Sequence, residues 1–415
     1  MTRLVTASSP SAAIPLASSS SSRQTDPYHD VTARPPSTWL KTVAPFRTLP
    51  QTRAATGRIV SFVDICLRSF GQCCFQNSPL TGLVFVVALA TSAHGPAMVG
   101  LALLGCMSAN LFAITMGFHE PLIAAGLFGY NATLVGCAFQ AFVVGDAPWT
   151  WEAHAHILVA VPCLSVLSVL VASAASSVLP PGTPGLTIAF QVTVWSWLLA
   201  THTWSPAVAA PFAPSPGLYM PLHGSAAAVA TARSYDMAKV QVAVASGVAQ
   251  CCLASEWYVG LAMVVGIALC SPISAFYAAV GSTVGTFMAV AVGAPPEQIY
   301  LGLYGFNGAL CAIALGGFFV LANGVHPNML VAVGILGSTL LMSTTIGAFG
   351  PVGLPALSWP FTFMTWCILV SATSMKRVVL IPLDELQTPE DHWEHHHERT
   401  RRTMRPSHPP PCFDS

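Results

Sequence analysis

No lysine or arginine occurs between Arg68 and Arg233, and none between Lys239 and Lys376. A soluble domain spreads charge over its whole surface, with about a quarter of its residues charged. Here 8% of 415 residues are charged and 53% are apolar. Cation-free windows of this length predict membrane helices, packed partly against lipid and partly against each other. The formal net charge is zero, so nothing points to nucleic acid as a partner.

Proline and composition divide the chain. Residues 1–55 are rich in Ser, Pro and Arg, with five consecutive serines at Ser18 to Ser22. That composition buries too little apolar area to fold, so a disordered N-terminal tail is expected. Residues 56–205 form a first apolar block and 236–381 a second. Between them, Pro206, Pro211, Pro214, Pro216 and Pro221 exclude a helix and mark a linker over 206–235. Residues 382–415 turn polar again, with His395, His396 and His397 beside four arginines, and read as an exposed tail. The twelve cysteines sit mostly inside apolar runs, where they act as small hydrophobes. Cys73-Cys74 and Cys251-Cys252 lack the spacing of zinc ligands, and no cofactor is implied.

Each block has room for about five spans of some 20 residues. The candidates lie near 79–96, 97–117, 121–144, 155–178 and 186–203, then near 258–271, 272–294, 298–322, 328–349 and 356–375. The stretches 58–78 and 236–256 are amphipathic and suit the membrane interface.

The blocks repeat one another. Gly71-Gln72-Cys73-Cys74-Phe75 matches Ala249-Gln250-Cys251-Cys252-Leu253. Gly126 to Asn131 (G-L-F-G-Y-N) matches Gly302 to Asn307 (G-L-Y-G-F-N). Pro184-Gly185-Leu186-Thr187 matches Pro355-Ala356-Leu357-Ser358. An odd number of spans per copy sends the second copy in from the other side, which makes an inverted repeat with its substrate site at the repeat interface. Eight Lys/Arg lie at or before Arg68, six at or after Lys376 and two between. That distribution predicts cytosolic N- and C-termini. The expected fold is therefore an all-α polytopic membrane protein.

Several segments carry a resemblance. Gln72 to Gly82 (Q-C-C-F-Q-N-S-P-L-T-G), Gly126 to Gly136, Gly302 to Gly317 and Leu354 to Phe361 (L-P-A-L-S-W-P-F) occur in order over about residues 59–378. Together the chain resembles the urea transporters. The resemblance implies a passive, urea-selective channel, a homotrimer with one pore per subunit, and a re-entrant pore segment in each repeat. It implies that Gln72 and Gln250 bind amide groups at the two mouths of a filter. It implies an apolar slot of Phe75, Tyr130, Leu134, Leu253, Phe306 and Leu310. Thr187 and Ser358, from the motif found once per half, would supply hydroxyls at the centre. Urea, membrane lipids and further copies of the chain are the partners expected, with the plasma membrane as the location.

The residues alone lead the same way. Moving a neutral amide out of water without hydrogen bonds costs about 2–7 kcal/mol, and Gln, Thr and Ser replace that water without charge. Tyr130 and Leu134 are four apart, as are Phe306 and Leu310, so each pair shares a helix face. An enzyme is not expected: His119-Glu120 opens an H-E-x-x-H string, but position 123 is Ile123. An ion-coupled transporter needs ionisable groups within its spans. Asp64, Glu120, Asp146, Glu152, Glu256 and Glu297 all fall near predicted span ends. An ammonia channel stays open as an alternative. Asn131-Ala132-Thr133 fits a glycosylation acceptor but falls in the predicted core and is expected to be unmodified.

Overall fold

The computed structural model describes residues 57–204 and 234–404, with side chains to 201 and 399. The expected N-terminal tail and nearly all of the linker lie outside the described residues. Every regular element among the described residues is helical, apart from one isolated antiparallel bridge between Val320 and Leu380.

The first half contains α1 (Arg58–Gln72), α2 (Pro79–Ala90), α3 (Gly95–Thr115), α4 (Glu120–Ala124), α5 (Tyr130–Phe139), α6 (Trp151–His154), α7 (Ile157–Val178) and α8 (Ile188–Trp204). The second contains α9 (Met237–Ala249), α10 (Trp257–Cys270), α11 (Pro272–Ala291), α12 (Pro296–Tyr300), α13 (Gly305–Ile313), α14 (Val325–Phe349) and α15 (Trp359–Ala372). A further helix, α16 (Pro389–Met404), follows.

Four stretches are long and apolar enough to cross a membrane: Gly95–Thr115, Trp151–Val178, Pro272–Ala291 and Val325–Val352. The α9–α10 pair makes a fifth if counted together, bent by 70° at its break. Other candidate spans appear as shorter apolar helices, Pro79–Ala90, Tyr130–Val144, Ile188–Thr201, Gly305–Phe318 and Trp359–Ala372. The predicted spans 121–144 and 298–322 each break into a short helix and a half-length one. The half-length helices end in π-turns, Gln140–Val144 and Ala314–Phe318.

Punctuation residues set these starts. Ser78 accepts from Thr81 N with Pro79 in the first turn of α2, and Ser271 accepts from Ser274 N with Pro272 opening α11. A hydroxyl cap followed by proline starts a helix because the prolyl nitrogen needs no acceptor there. α1 carries the buried Asp64–Arg68 ion pair at 2.8 Å. Arg68 also donates to the backbone and side-chain oxygens of Asn77, both at 2.9 Å, which ties α1 to the start of α2.

Close helix contact depends on two equivalent glycines. A Cβ at Gly82 would lie 1.8 Å from Leu67 O, and one at Gly260 would lie 1.8 Å from Ala245 O. Only a residue without a side chain lets those backbones touch. Apolar side chains such as Ile59, Val159, Val178 and Phe276 face outward, as lipid contact requires.

The C-terminal segment departs from the expected exposed tail. Glu390, Asp391 and His392 of α16 are buried. Glu390 accepts from Ser271 Oγ at 3.1 Å and Ile273 N at 2.9 Å, at the start of α11. Trp393 Nε1 donates to Ala322 O at 2.8 Å.

Candidate functional site

The site grows from the starts of α8 and α15. In each, a leucine stands in the left-handed region just before the helix, Leu186 and Leu357, both with φ of 49°. A left-handed non-glycine residue costs roughly 1–2 kcal/mol. The turn exposes the Leu186 carbonyl, which accepts from Tyr130 Oη and from Asn131 Nδ2. Phe75 and Leu253, after α1 and α9, form a second left-handed pair, with φ of 64° and 60°.

The next residues are Thr187 and Ser358. A hydroxyl at a helix start ordinarily caps its own first turn. Ser358 makes no such bond. Asparagines on other helices cap these turns instead. Asn131 Oδ1 accepts Phe190 N–H at 3.2 Å, and Asn307 Oδ1 accepts Phe361 N–H at 3.1 Å. The two hydroxyls are thereby left for each other: Thr187 Oγ1 and Ser358 Oγ stand 2.8 Å apart. Thr362 Oγ1 lies 2.9 Å from Thr187 Oγ1, and Gln191 Nε2 donates to all three hydroxyl oxygens at 3.0–3.3 Å.

Two tryptophans hold the turns reciprocally across the halves. Trp195 Nε1 donates to Pro355 O at 2.9 Å, and Trp366 Nε1 donates to Pro184 O at 2.8 Å. Each half thus fixes the turn of the other.

A cavity of about 400 Å³ opens onto this centre. Of the residues singled out from sequence, Leu134, Thr187, Gln250, Leu253, Phe306, Leu310 and Ser358 line it together. Apart from two thiols, Cys73 and Cys251, its lining has no ionisable side chain. Gln72, Phe75 and Tyr130 are not among the lining residues. Phe75 sits against Phe318, Phe319 and Phe361, with ring centroids 5.0, 5.6 and 6.0 Å away. Phe318 belongs to the π-turn whose Gly317 O accepts from His392 Nδ1 at 2.8 Å.

Both glutamines have their amino ends engaged. Gln72 Nε2 donates to Ala125 O at 3.0 Å and Gln250 Nε2 to Leu301 O at 2.8 Å. In each, the carbonyl oxygen is the end of the amide that these bonds leave unengaged.

Sequence reasoning missed Asn131, Asn307, Gln191 and Thr362 as parts of the site. The signal for the asparagines was present: G-Y-N and G-F-N recur in the two halves. Asn131 is 2% exposed with both ends of its amide bonded, so its acceptor pattern is unavailable to glycosylation in the folded chain. No group of three or more His, Cys, Asp or Glu among the described residues is arranged to hold a metal ion.

Known proteins resemble this chain in sequence. The chain is similar to Urea transporter 1 of Capra hircus, 29% identical over 348 residues that cover 83% of this chain and 86% of that relative. It is also similar to Urea transporter 1 of Mus musculus, 29% identical over 335 residues, covering 80% and 83% respectively. The family model for urea transporters matches residues 63–373, a stretch that contains both glutamines, both half-length helices and the turns carrying Thr187 and Ser358. With that match over most of its length, the chain belongs to the urea transporter family.

Proposed function

We propose that the protein is a passive, urea-selective membrane channel, with its pore between two inverted repeats and a re-entrant segment in each. The observation that carries this reading is the cavity, whose apolar walls lead to neutral hydroxyls. Leu134, Leu253, Phe306 and Leu310 give a slot for a flat solute, and Gln250, Thr187 and Ser358 give hydrogen-bonding groups along it. Coupling to a driving ion needs a site whose charge changes during the cycle, and the lining has no carboxylate, amine or imidazole. Neutral stations also bind weakly enough for release, which conduction needs.

The inverted-repeat reading is supported by the reciprocal tryptophan bonds and the paired asparagine caps. The bent α9–α10 pair supports the re-entrant reading. The Lys/Arg distribution favours cytosolic termini in a plasma-membrane protein, and family resemblance alone favours a homotrimer.

The test is urea flux in proteoliposomes with imposed gradients. Flux should follow the urea gradient alone and be indifferent to sodium, protons and membrane potential. Accumulation of urea above the bath under an ion gradient would establish an ion-coupled transporter instead. Passage of ammonium or methylammonium without urea would establish an ammonia channel.

A further inference from the structure

Gln191 is 0% exposed at the centre of the protein. Its position in the second half is occupied by Thr362 at the same offset that relates Thr187 to Ser358, so it breaks the repeat at the very point where the halves meet. Its Oε1 is buried without a hydrogen-bond partner. Such a group has a reason to be there or is selected against.

Counting protons around it fixes a direction. Thr362 is fully buried, and among the described residues the only oxygen positioned to accept its proton is Thr187 Oγ1. Thr187, accepting there, passes its own proton to Ser358 Oγ at 2.8 Å. Ser358 is left with a proton and no protein acceptor for it, on a wall of the cavity. The opposite direction would run from Ser358 through Thr187 to Thr362 and would need an acceptor beyond Thr362. Gln191 presents its NH2 there, not its carbonyl. Turning the amide round would supply that acceptor, but would bury two N–H groups without partners, which is rarer in proteins than an under-satisfied carbonyl.

We infer that Gln191 is a specificity-determining positioning residue: its amide sets the hydroxyl chain so that Ser358 offers an O–H donor to the carbonyl of the passing solute. This inference rests on the urea-channel reading and adds a polarity to its central station. The glutamine ends present carbonyl acceptors and the centre presents a donor. A urea molecule meets its amino groups' partners at the ends and its oxygen's partner in the middle.

Urea and thiourea separate this idea from a merely structural role. They share amino donors, but sulfur accepts a hydrogen bond far more weakly than oxygen. The experiment measures both fluxes in the same proteoliposomes for the full chain, Gln191→Leu, Gln191→Met and Ser358→Ala. The wild type should favour urea, and each variant should lower the urea-to-thiourea ratio by about fivefold to tenfold, the effect of losing one directed hydrogen bond. A ratio that stays at the wild-type value in the variants, while both fluxes fall together, overturns the inference. Ser358→Ala decides the question even if neither Gln191 variant folds, because it removes the donor itself. Wild-type vesicles without urea flux would instead overturn the channel reading, a distinct outcome.

Discussion

Asn307 caps the first turn of a helix to which it does not belong: its side-chain oxygen takes Phe361 N–H at 3.1 Å. Asn131 does the same for Phe190. Replacing either by leucine orphans a buried N–H, which costs about 1–3 kcal/mol. Asn307→Leu and Asn131→Leu should each lower the apparent Tm in detergent. Their urea flux should fall as well, because Ser358 or Thr187 would turn to cap its own helix. A light-scattering flux assay beside a thermal melt checks both.

The two glycine contacts predict a sharper loss. Gly82→Ala or Gly260→Ala drives a methyl group into a backbone carbonyl, and no side-chain motion relieves that. Each should abolish the monodisperse peak of a fluorescent fusion on size-exclusion chromatography. Gly117→Ala is a useful contrast. Open space surrounds that position, and only its φ of 68° resists a side chain, so most of the peak should survive.

Gln250→Leu should cut urea flux about tenfold while leaving the melt nearly unchanged, since a lost directed hydrogen bond costs roughly 1–3 kcal/mol. Gln72→Leu should do likewise. The stopped-flow shrinkage rate of urea-loaded vesicles reads this directly. Wild-type rates in both variants would make the glutamines interfacial groups only.

The docking of α16 should depend on pH. His392 gives its Nδ1 proton to Gly317 O and takes Gln387 N–H at Nε2, each at 2.8 Å. That arrangement requires the neutral ring. Burial holds its pKa below the ordinary imidazole value, against the pull of Gly317 O, Asp391 and the Glu385 backbone, while His395 adds to the lowering. Because the folded value is depressed, the docked helix keeps its full contribution above about pH 6.5, the value for a free imidazole. It loses that contribution as pH falls through the folded value. Hydrogen exchange over residues 387–399, corrected for intrinsic rates, should accelerate as pH falls below the free-imidazole value of about 6.5. His392→Gln should flatten that profile.

What was legible in the sequence was whatever repeats or alternates. The missing cations gave the membrane, and the paired motifs gave the two halves and seven of the residues that line the cavity. Local chemistry that depends on a partner far along the chain stayed hidden. Nothing near Asn131 announces that its acceptor duty lies at Phe190. Gln191 and Thr362 carry no motif of their own and become meaningful only when Thr187 and Ser358 meet. The half-length helices read as whole spans because apolar composition persists across their breaks. The C-terminal segment read as an exposed tail because its burial uses polar groups matched one by one, which composition does not record.

The one-sided lining of the cavity has a consequence for pharmacology. On the channel reading proposed above, a blocker shaped to this space would rest on Leu253, Leu301, Phe306 and Met342 and reach the paired hydroxyls from the Gln250 end. From the Gln72 end the same compound would meet the packed rings of Phe75, Phe318 and Phe319. Its potency would therefore differ between right-side-out and inside-out vesicles. The drug-accessible side of the membrane would be set by how the protein is inserted, before any difference in affinity.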